Sequence, residues 1–125
     1  MNCSKLFSLI SISIIVASCA TLSQSECQNA DWKSIGLDDG SRGRNVTYIQ
    51  KHSKTCKEHG EKTDVAQYQS GYMAGLARYC TASNGFWLGE NGHVFKDVCP
   101  VEFGGDYRKG YDKGYRMYLA MDRLD

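Results

Sequence analysis

Apolar and aromatic residues recur at helical spacing in two long stretches of the chain. The first stretch follows Asp64, an N-cap residue with Gln67 three positions later, and it predicts one long helix. Its apolar positions are Val65, Tyr68, Tyr72, Leu76 and Tyr79. The second stretch predicts a final helix over about 103–121. Its apolar positions are Phe103, Tyr107, Tyr111, Tyr115 and Tyr118.

Two shorter helices are predicted before Asp64. Asp31 is typical of an N-cap, and the helix after it is expected to reach about Gly43, with Trp32, Ile35 and Gly36 on one face. Asn45 is a second cap candidate, and Gly60 is the matching stop. The helix between them would carry Val46, Ile49 and Cys56.

Between Thr81 and Pro100 the pattern changes from helical spacing to turn signals. Asn84-Gly85 and Asn91-Gly92 favour turns, and the second lies between the apolar runs 86–88 and 93–95. We therefore expect a small irregular hairpin here. The predicted fold class is mainly α: a small disulfide-stapled bundle of three or four helices with a short β-hairpin-like insert.

Three glycine pairs at four-residue spacing lie inside the predicted helices: Gly36 and Gly40, Gly71 and Gly75, Gly110 and Gly114. A helix-interior glycine costs about 1 kcal/mol relative to alanine, which suggests a compensating packing role. Both glycines of a pair share one helix face, so a neighbouring backbone can approach closely. The pairs are 35 and 39 residues apart, which indicates a degenerate helical repeat. The alternative is an interaction surface that also contains Tyr72, Tyr111 and Tyr115.

The first 18 residues have the pattern of an export signal. Lys5 precedes an apolar run over 6–17, which is too short to span a bilayer. Val16-Ala17-Ser18-Cys19 at its end resembles the bacterial lipobox, which implies cleavage before Cys19 and lipid on its sulfur. The predicted organisation is a lipoprotein signal peptide over 1–18, a lipidated tether over 19–26 and a single small helical domain over 27–125. An ordinary signal peptide cut elsewhere, with Cys19 free, is the alternative.

The lipobox resemblance also implies a location. The chain would be anchored in the bacterial cell envelope through lipid on Cys19, and Ala20 in place of aspartate favours the outer membrane, facing the periplasm. Removal of Lys5 leaves 14 of the 15 basic residues, against 14 acidic ones. A neutral chain without a basic block excludes nucleic acid as a partner. The expected partners are the membrane and an envelope protein or cell-wall component.

The six cysteines support the same interpretation. Cleavage removes Cys3 and lipid occupies Cys19, so an even set of four remains. An even set in an exported protein is typical of disulfides, and four cysteines allow three pairings. We favour Cys27–Cys56 and Cys80–Cys99, because each closes a local stretch containing turn residues; the other two pairings stay open.

No catalytic pattern stands out. Asp38 and Asp39 are adjacent and would point in different directions on a helix. His52, Cys56 and His59 form a candidate metal site, but a disulfide at Cys56 would remove its thiolate. We expect no catalytic residues, no cofactor and no metal, with the histidine–cysteine set as a weak alternative.

The overall pattern resembles the bacterial lipoproteins grouped as domain of unknown function 2799. The residues that carry the resemblance are Cys27, Asp31-Trp32, Ile35-Gly36-x3-Gly40, His52-x3-Cys56, Tyr68-x2-Gly71-x3-Gly75-Leu76, Tyr79-Cys80, Gly89, Cys99-Pro100 and Tyr107-x2-Gly110. The resemblance implies an envelope lipoprotein of unassigned role and carries over no catalytic residues. The predicted function is a non-enzymatic structural or interaction module. Two alternatives are a small enzyme acting on peptidoglycan or a lipid-linked substrate, and a periplasmic metal-binding protein.

Overall fold

The computed structural model describes residues 20–124, which contain six α-helices and no strand. The predicted signal peptide and Cys19 lie outside the described residues. The helices are α1 (Gln24–Gln28), α2 (Trp32–Ser41), α3 (Ile49–Glu58), α4 (Val65–Tyr79), α5 (Ala82–Glu90) and α6 (Val101–Asp122). A 3-10 turn at Val46–Tyr48 leads directly into α3. A small helical bundle with two disulfides is confirmed.

Side-chain caps set the beginnings of the helices. The carboxylate of Asp31 accepts a hydrogen bond from the Ser34 amide at 3.1 Å, and Asp64 does the same for Gln67 at 3.0 Å. Each cap satisfies an amide that the first helical turn leaves without a partner. Gly60 has a φ of +77°, a left-handed conformation that ends α3 as predicted.

The predicted hairpin between Thr81 and Pro100 is wrong. Thr81 caps a helix, α5, and the Asn84-Gly85 pair lies inside it. Asn91-Gly92 ends that helix, with Gly92 at a φ of +68°, and the non-helical segment 93–100 follows. The physical reason is tertiary: Gly85 and Gly89 are buried against α6, and this packing outweighs the local turn preference of asparagine and glycine.

The helices are organised as two parallel pairs packed through glycine. In the first pair, a Cβ added at Gly36 of α2 would overlap the carbonyl oxygen of Tyr68 in α4, and one added at Gly40 would overlap that of Tyr72. The contact advances in the same direction along both helices, so they run parallel. The contact is reciprocal, because a Cβ at Gly71 of α4 would overlap the carbonyl oxygen of Lys33.

The second pair, α5 with α6, repeats these contacts. Gly85 faces the Tyr107 carbonyl and Gly89 faces that of Tyr111, while Gly110 of α6 faces the Ala82 carbonyl. Gly85 lies 49 residues after Gly36, and Gly110 lies 39 residues after Gly71. The repeat predicted from the glycine pairs therefore relates one helix pair to the other. The 35-residue spacing between Gly36 and Gly71 does not mark a repeat, because these glycines belong to α2 and α4, which pack on each other.

The core contains residues of both pairs and is rich in tyrosine. Its buried members are Cys27, Trp32, Cys56, Tyr68, Tyr72, Leu76, Tyr79, Cys80 and Tyr107. The hydroxyl groups of Tyr79 and Tyr107 lie 3.1 Å apart and join α4 to α6. Within residues 20–124, none of the helices combines the length and apolar character needed to cross a membrane.

Two disulfides fasten the irregular parts of the chain. Cys27–Cys56 joins α1 to α3, and Cys80–Cys99 joins the end of α4 to the segment that precedes α6. This is the pairing favoured from the sequence. The loops span 29 and 19 residues, and closing loops of this size stabilises a fold by roughly 3 kcal/mol each.

Candidate functional site

A buried carboxylate, Asp39, lies at the contact between α2 and α4. It directly precedes Gly40, so it lies next to the helix face that meets α4. Its residue exposure is 1%, although aspartate is almost never fully buried without partners. A carboxylate in this position must therefore be neutralised by donors from the surrounding elements.

Three side chains from three parts of the chain supply those donors. Arg44, from the turn after α2, donates to Asp39 Oδ1 at 2.6 Å, and the Tyr68 hydroxyl on α4 donates to Oδ2 at 2.6 Å. The His52 Nε2 on α3 lies 3.0 Å from Oδ2. We call Asp39 with Arg44, His52 and Tyr68 the Asp39 network.

The network fixes the charge state of the carboxylate. Burial by itself raises the pKa of Asp39, but the hydrogen bonds from His52, Tyr68 and Arg44 together outweigh burial and hold this pKa below its usual value. Burial, with the bond to Asp39 as the second cause, raises the pKa of Tyr68 well above its ordinary value. Asp39 is therefore ionised and Tyr68 is a neutral donor at neutral pH.

The second ring nitrogen of His52 reaches the N-terminal tether. His52 Nδ1 lies 2.8 Å from the hydroxyl of Thr21, and that hydroxyl lies 3.5 Å from the hydroxyl of Thr55. A cleft of about 310 Å³ opens beside this contact. Its lining residues are Thr21, Leu22, Ser34, Ile35, Asp38, Asp39, Arg44 and His52.

Thr21, His52 and Asp39 form a hydroxyl–imidazole–carboxylate series, the order of groups found in nucleophilic triads. Two features favour a structural role. Arg44 and Tyr68 already satisfy the carboxylate, so it stabilises a fixed ion cluster. In addition, His52 is only 3% exposed, so little of the imidazole is accessible from the cleft. The network holds α2, α3, α4 and the tether together.

The structure does not arrange His52, Cys56 and His59 as a metal site. Cys56 is half of a disulfide, His52 belongs to the Asp39 network and His59 is exposed at the end of α3. In residues 20–124 no group of three or more histidine, cysteine, aspartate or glutamate residues is arranged to hold a metal ion.

The three tyrosines of the predicted interaction surface do not share one exposed face. Tyr72 and Tyr111 are 4% and 8% exposed, because the glycine contacts draw their helices together, whereas Tyr115 is 37% exposed. The hydroxyl of Tyr72 donates to the Arg44 carbonyl at 2.7 Å, and that of Tyr111 donates to the His93 carbonyl at 2.6 Å. Both tyrosines thus make equivalent bonds within the repeated helix pairs.

A second concave region borders Tyr72. It is a groove of about 500 Å³ between α4, the 3-10 turn and the non-helical segment before α6, and we call it the apolar groove. Its lining residues are Asn45, Val46, Gln69, Tyr72, Met73, Leu76, Asp97, Val98, Cys99 and Pro100. The Cys80–Cys99 disulfide holds one wall of the groove against the end of α4.

Neither region was identified from the sequence as a site. The sequence pattern indicates Asp39 only as the neighbour of Asp38, and His52 only as part of a set with Cys56 and His59. The available signal was the position of Asp39 next to Gly40, on a face predicted to pack closely. The apolar groove carried no sequence signal, because its walls come from segments that are distant in the chain.

The family model described as "Protein of unknown function (DUF2799)" matches residues 31–118, which include every element from α2 to most of α6. No curated protein and no solved structure matches the chain.

Proposed function

The chain belongs to the family described as "Protein of unknown function (DUF2799)", and since this description gives no function, we propose one from the structure and sequence of the chain itself. It is a lipoprotein of the bacterial envelope, anchored through Cys19, whose domain is a non-enzymatic interaction module. The module binds an extended peptide segment of another envelope protein. The observation that carries this proposal is the apolar groove.

The walls of the groove combine exposed apolar side chains with a polar rim. Val46 and Met73 remain 43% and 46% exposed, and the buried side chain of Leu76 forms part of the floor. Gln69 and Asp97 supply an amide and a carboxylate beside them. Apolar clefts with a few polar groups are typical of binding sites, and methionine adapts well to a bound chain.

One wall of the groove is non-helical backbone. Within the described chain, the backbone N–H groups of Asp97 and Val98 donate to no other backbone group. An extended peptide can pair with such a segment through main-chain hydrogen bonds while its side chains enter the adjacent cleft. This combination favours a peptide over a small polar molecule.

The envelope assignment is supported by the sequence and by the disulfides. Val16-Ala17-Ser18-Cys19 resembles a lipobox, and an exported location agrees with two disulfides that involve all four of the remaining cysteines. The outer membrane, facing the periplasm, is the membrane that Ala20 favours.

A photocrosslinking experiment in intact cells tests the proposal. A photoreactive amino acid replaces Met73 in the groove of the full-length protein, and a matched control places it at Met117 of α6, which has the same exposure of 46%. We expect position 73 to form a crosslink whose partner peptide maps to one segment of one envelope protein. Met73 lines the groove and Met117 does not.

A second variant makes the result specific. Replacing Val46 by arginine in the crosslinking protein places a charge in the apolar wall and should abolish the crosslink from position 73. The proposal is wrong if position 73 yields no mapped peptide, if position 117 yields the same peptide, or if the arginine leaves the crosslink intact.

The enzyme alternative has one specific observation in its favour, the Thr21–His52–Asp39 series beside the 310 Å³ cleft. It would use the Thr21 hydroxyl on a lipid-linked substrate. A fluorophosphonate probe tests it: labelling of Thr21 that disappears in Thr21→Val would favour the enzyme. An unlabelled protein whose stability falls in Thr21→Val would assign the series to structure.

A further inference from the structure

Thr21 lies two residues after the proposed lipidation site and is bound to the folded domain. The Thr21 hydroxyl contacts His52 at 2.8 Å, and its backbone amide lies 3.5 Å from the hydroxyl of Thr55. Only Ala20 separates Thr21 from Cys19. The proposed lipidation site is therefore two residues away from a residue that is hydrogen-bonded to the domain.

Beside this point, two cations lie close to one tyrosine ring. The guanidinium carbon of Arg44 lies 4.4 Å from the Tyr48 ring centroid, and the Lys51 ammonium nitrogen lies 4.9 Å from it. The same ring meets the His52 ring edge-on, with centroids 5.1 Å apart. We call Thr21, Arg44, Tyr48 and Lys51 the anchor face.

One positive charge on the anchor face, that of Lys51, has no acidic partner within residues 20–124. Asp39 is paired with Arg44 inside the domain and hydrogen-bonded to His52, and Asp38 is paired with Arg42 at 2.9 Å. Lys51 forms no ion pair within residues 20–124 and is exposed. An exposed lysine, a tyrosine ring and a second cation together are typical of groups at a membrane–water interface.

We propose that the anchor face lies on the headgroups of an anionic bilayer leaflet, with Lys51 against lipid phosphate. This inference rests on the proposed lipid anchor at Cys19. A two-residue connection gives the domain little freedom to turn away from the membrane, so lipidation itself holds the anchor face close to it. A basic group near such a surface is attracted to it.

Lysine footprinting on the full-length lipidated protein tests this orientation. The protein is reconstituted into vesicles of phosphatidylcholine, with or without phosphatidylglycerol. Its lysines are then acetylated with an N-hydroxysuccinimide ester and quantified by mass spectrometry. Lys109 of α6 is the control, because its side chain is 83% exposed and the anchor face does not include it.

We expect Lys51 to react several-fold more slowly than Lys109 in phosphatidylglycerol vesicles, relative to the same ratio in detergent micelles. The protection should be weaker in pure phosphatidylcholine. Equal rates at both lysines in phosphatidylglycerol vesicles, or protection independent of the anionic lipid, would overturn the inference.

Flotation of the same samples distinguishes a failure of the proposed orientation from a failure of the proposed lipid anchor. Protein that fails to float with either type of vesicle shows that the anchor itself is absent, which contradicts the proposed function. Protein that floats while Lys51 and Lys109 react alike contradicts only the orientation.

Discussion

Gly71 of α4 lies so close to Lys33 of α2 that any Cβ at position 71 would overlap the Lys33 carbonyl oxygen. The obstacle is backbone, so it cannot move aside as a flexible side chain would. Overpacking of a core typically costs 1–3 kcal/mol, and we expect Gly71→Ala to lower the free energy of unfolding by about 3 kcal/mol. Urea unfolding followed by circular dichroism measures the loss.

Gly105 provides the matched control for that substitution. It also lies within a helix, α6, but nothing stands within 4 Å of a Cβ built there. Gly105→Ala should therefore raise the free energy of unfolding, by up to about 1 kcal/mol from helix propensity. A Gly71→Ala substitution that raises the free energy of unfolding, as Gly105→Ala is expected to do, would show that the parallel glycine contact does not stabilise the fold.

Asp39→Asn should be among the most damaging polar substitutions in the chain. It leaves Arg44 and His52 around an uncharged amide, and breaking a buried ion pair costs about 3–5 kcal/mol. The neighbouring Asp38→Asn is the control. Asp38 forms an exposed pair with Arg42, and such pairs contribute about 0–1 kcal/mol.

The pH dependence of Asp39 has a definite sign. Its folded-state pKa is held below the ordinary value, so its contribution to stability is fully present above the unfolded-state pKa of about 3.9. That contribution is lost as the pH falls through the lower, folded-state pKa. Unfolding measured between pH 2 and 7 should show a smaller acid loss in Asp39→Asn than in the unchanged protein. Identical acid slopes would contradict this assignment.

The sequence predicted the helices whose ends carry strong caps, because a cap and a period of 3.6 residues are local signals. Asp31, Asp64 and Gly60 each mark the helix end expected of them. It failed at Asn84-Gly85, where the local preference for a turn loses to packing against Tyr107. Asp39 and the apolar groove escaped prediction for the related reason that their partners lie far away in the chain.

The repeated helix pairs predict matched effects at Tyr72 and Tyr111. Each hydroxyl donates to a backbone carbonyl, of Arg44 and His93 respectively. Phenylalanine at either position removes one hydrogen bond and should cost about 1 kcal/mol. Thermal unfolding of both variants checks this. A loss at only one position would show that the two pairs are not energetically equivalent.

The Cys80–Cys99 disulfide should matter more for binding than the Cys27–Cys56 disulfide does. The double variant Cys80→Ser/Cys99→Ser frees the wall of the apolar groove, whereas Cys27→Ser/Cys56→Ser leaves this wall in place. Each double variant should lose roughly 3 kcal/mol of stability. Only the first should also lose the crosslink from position 73. Crosslinking at a temperature where both variants remain folded separates the two effects.

The central claim is that the mature protein is a disulfide-closed domain anchored through lipid on Cys19. The intact mass of the protein extracted from cell membranes, after alkylation without reduction, tests it most directly. We predict residues 19–125 with added lipid mass and no alkylated cysteine. After reduction, four cysteines should be alkylated. A species without lipid mass, or one with a thiol that reacts before reduction, would contradict the claim.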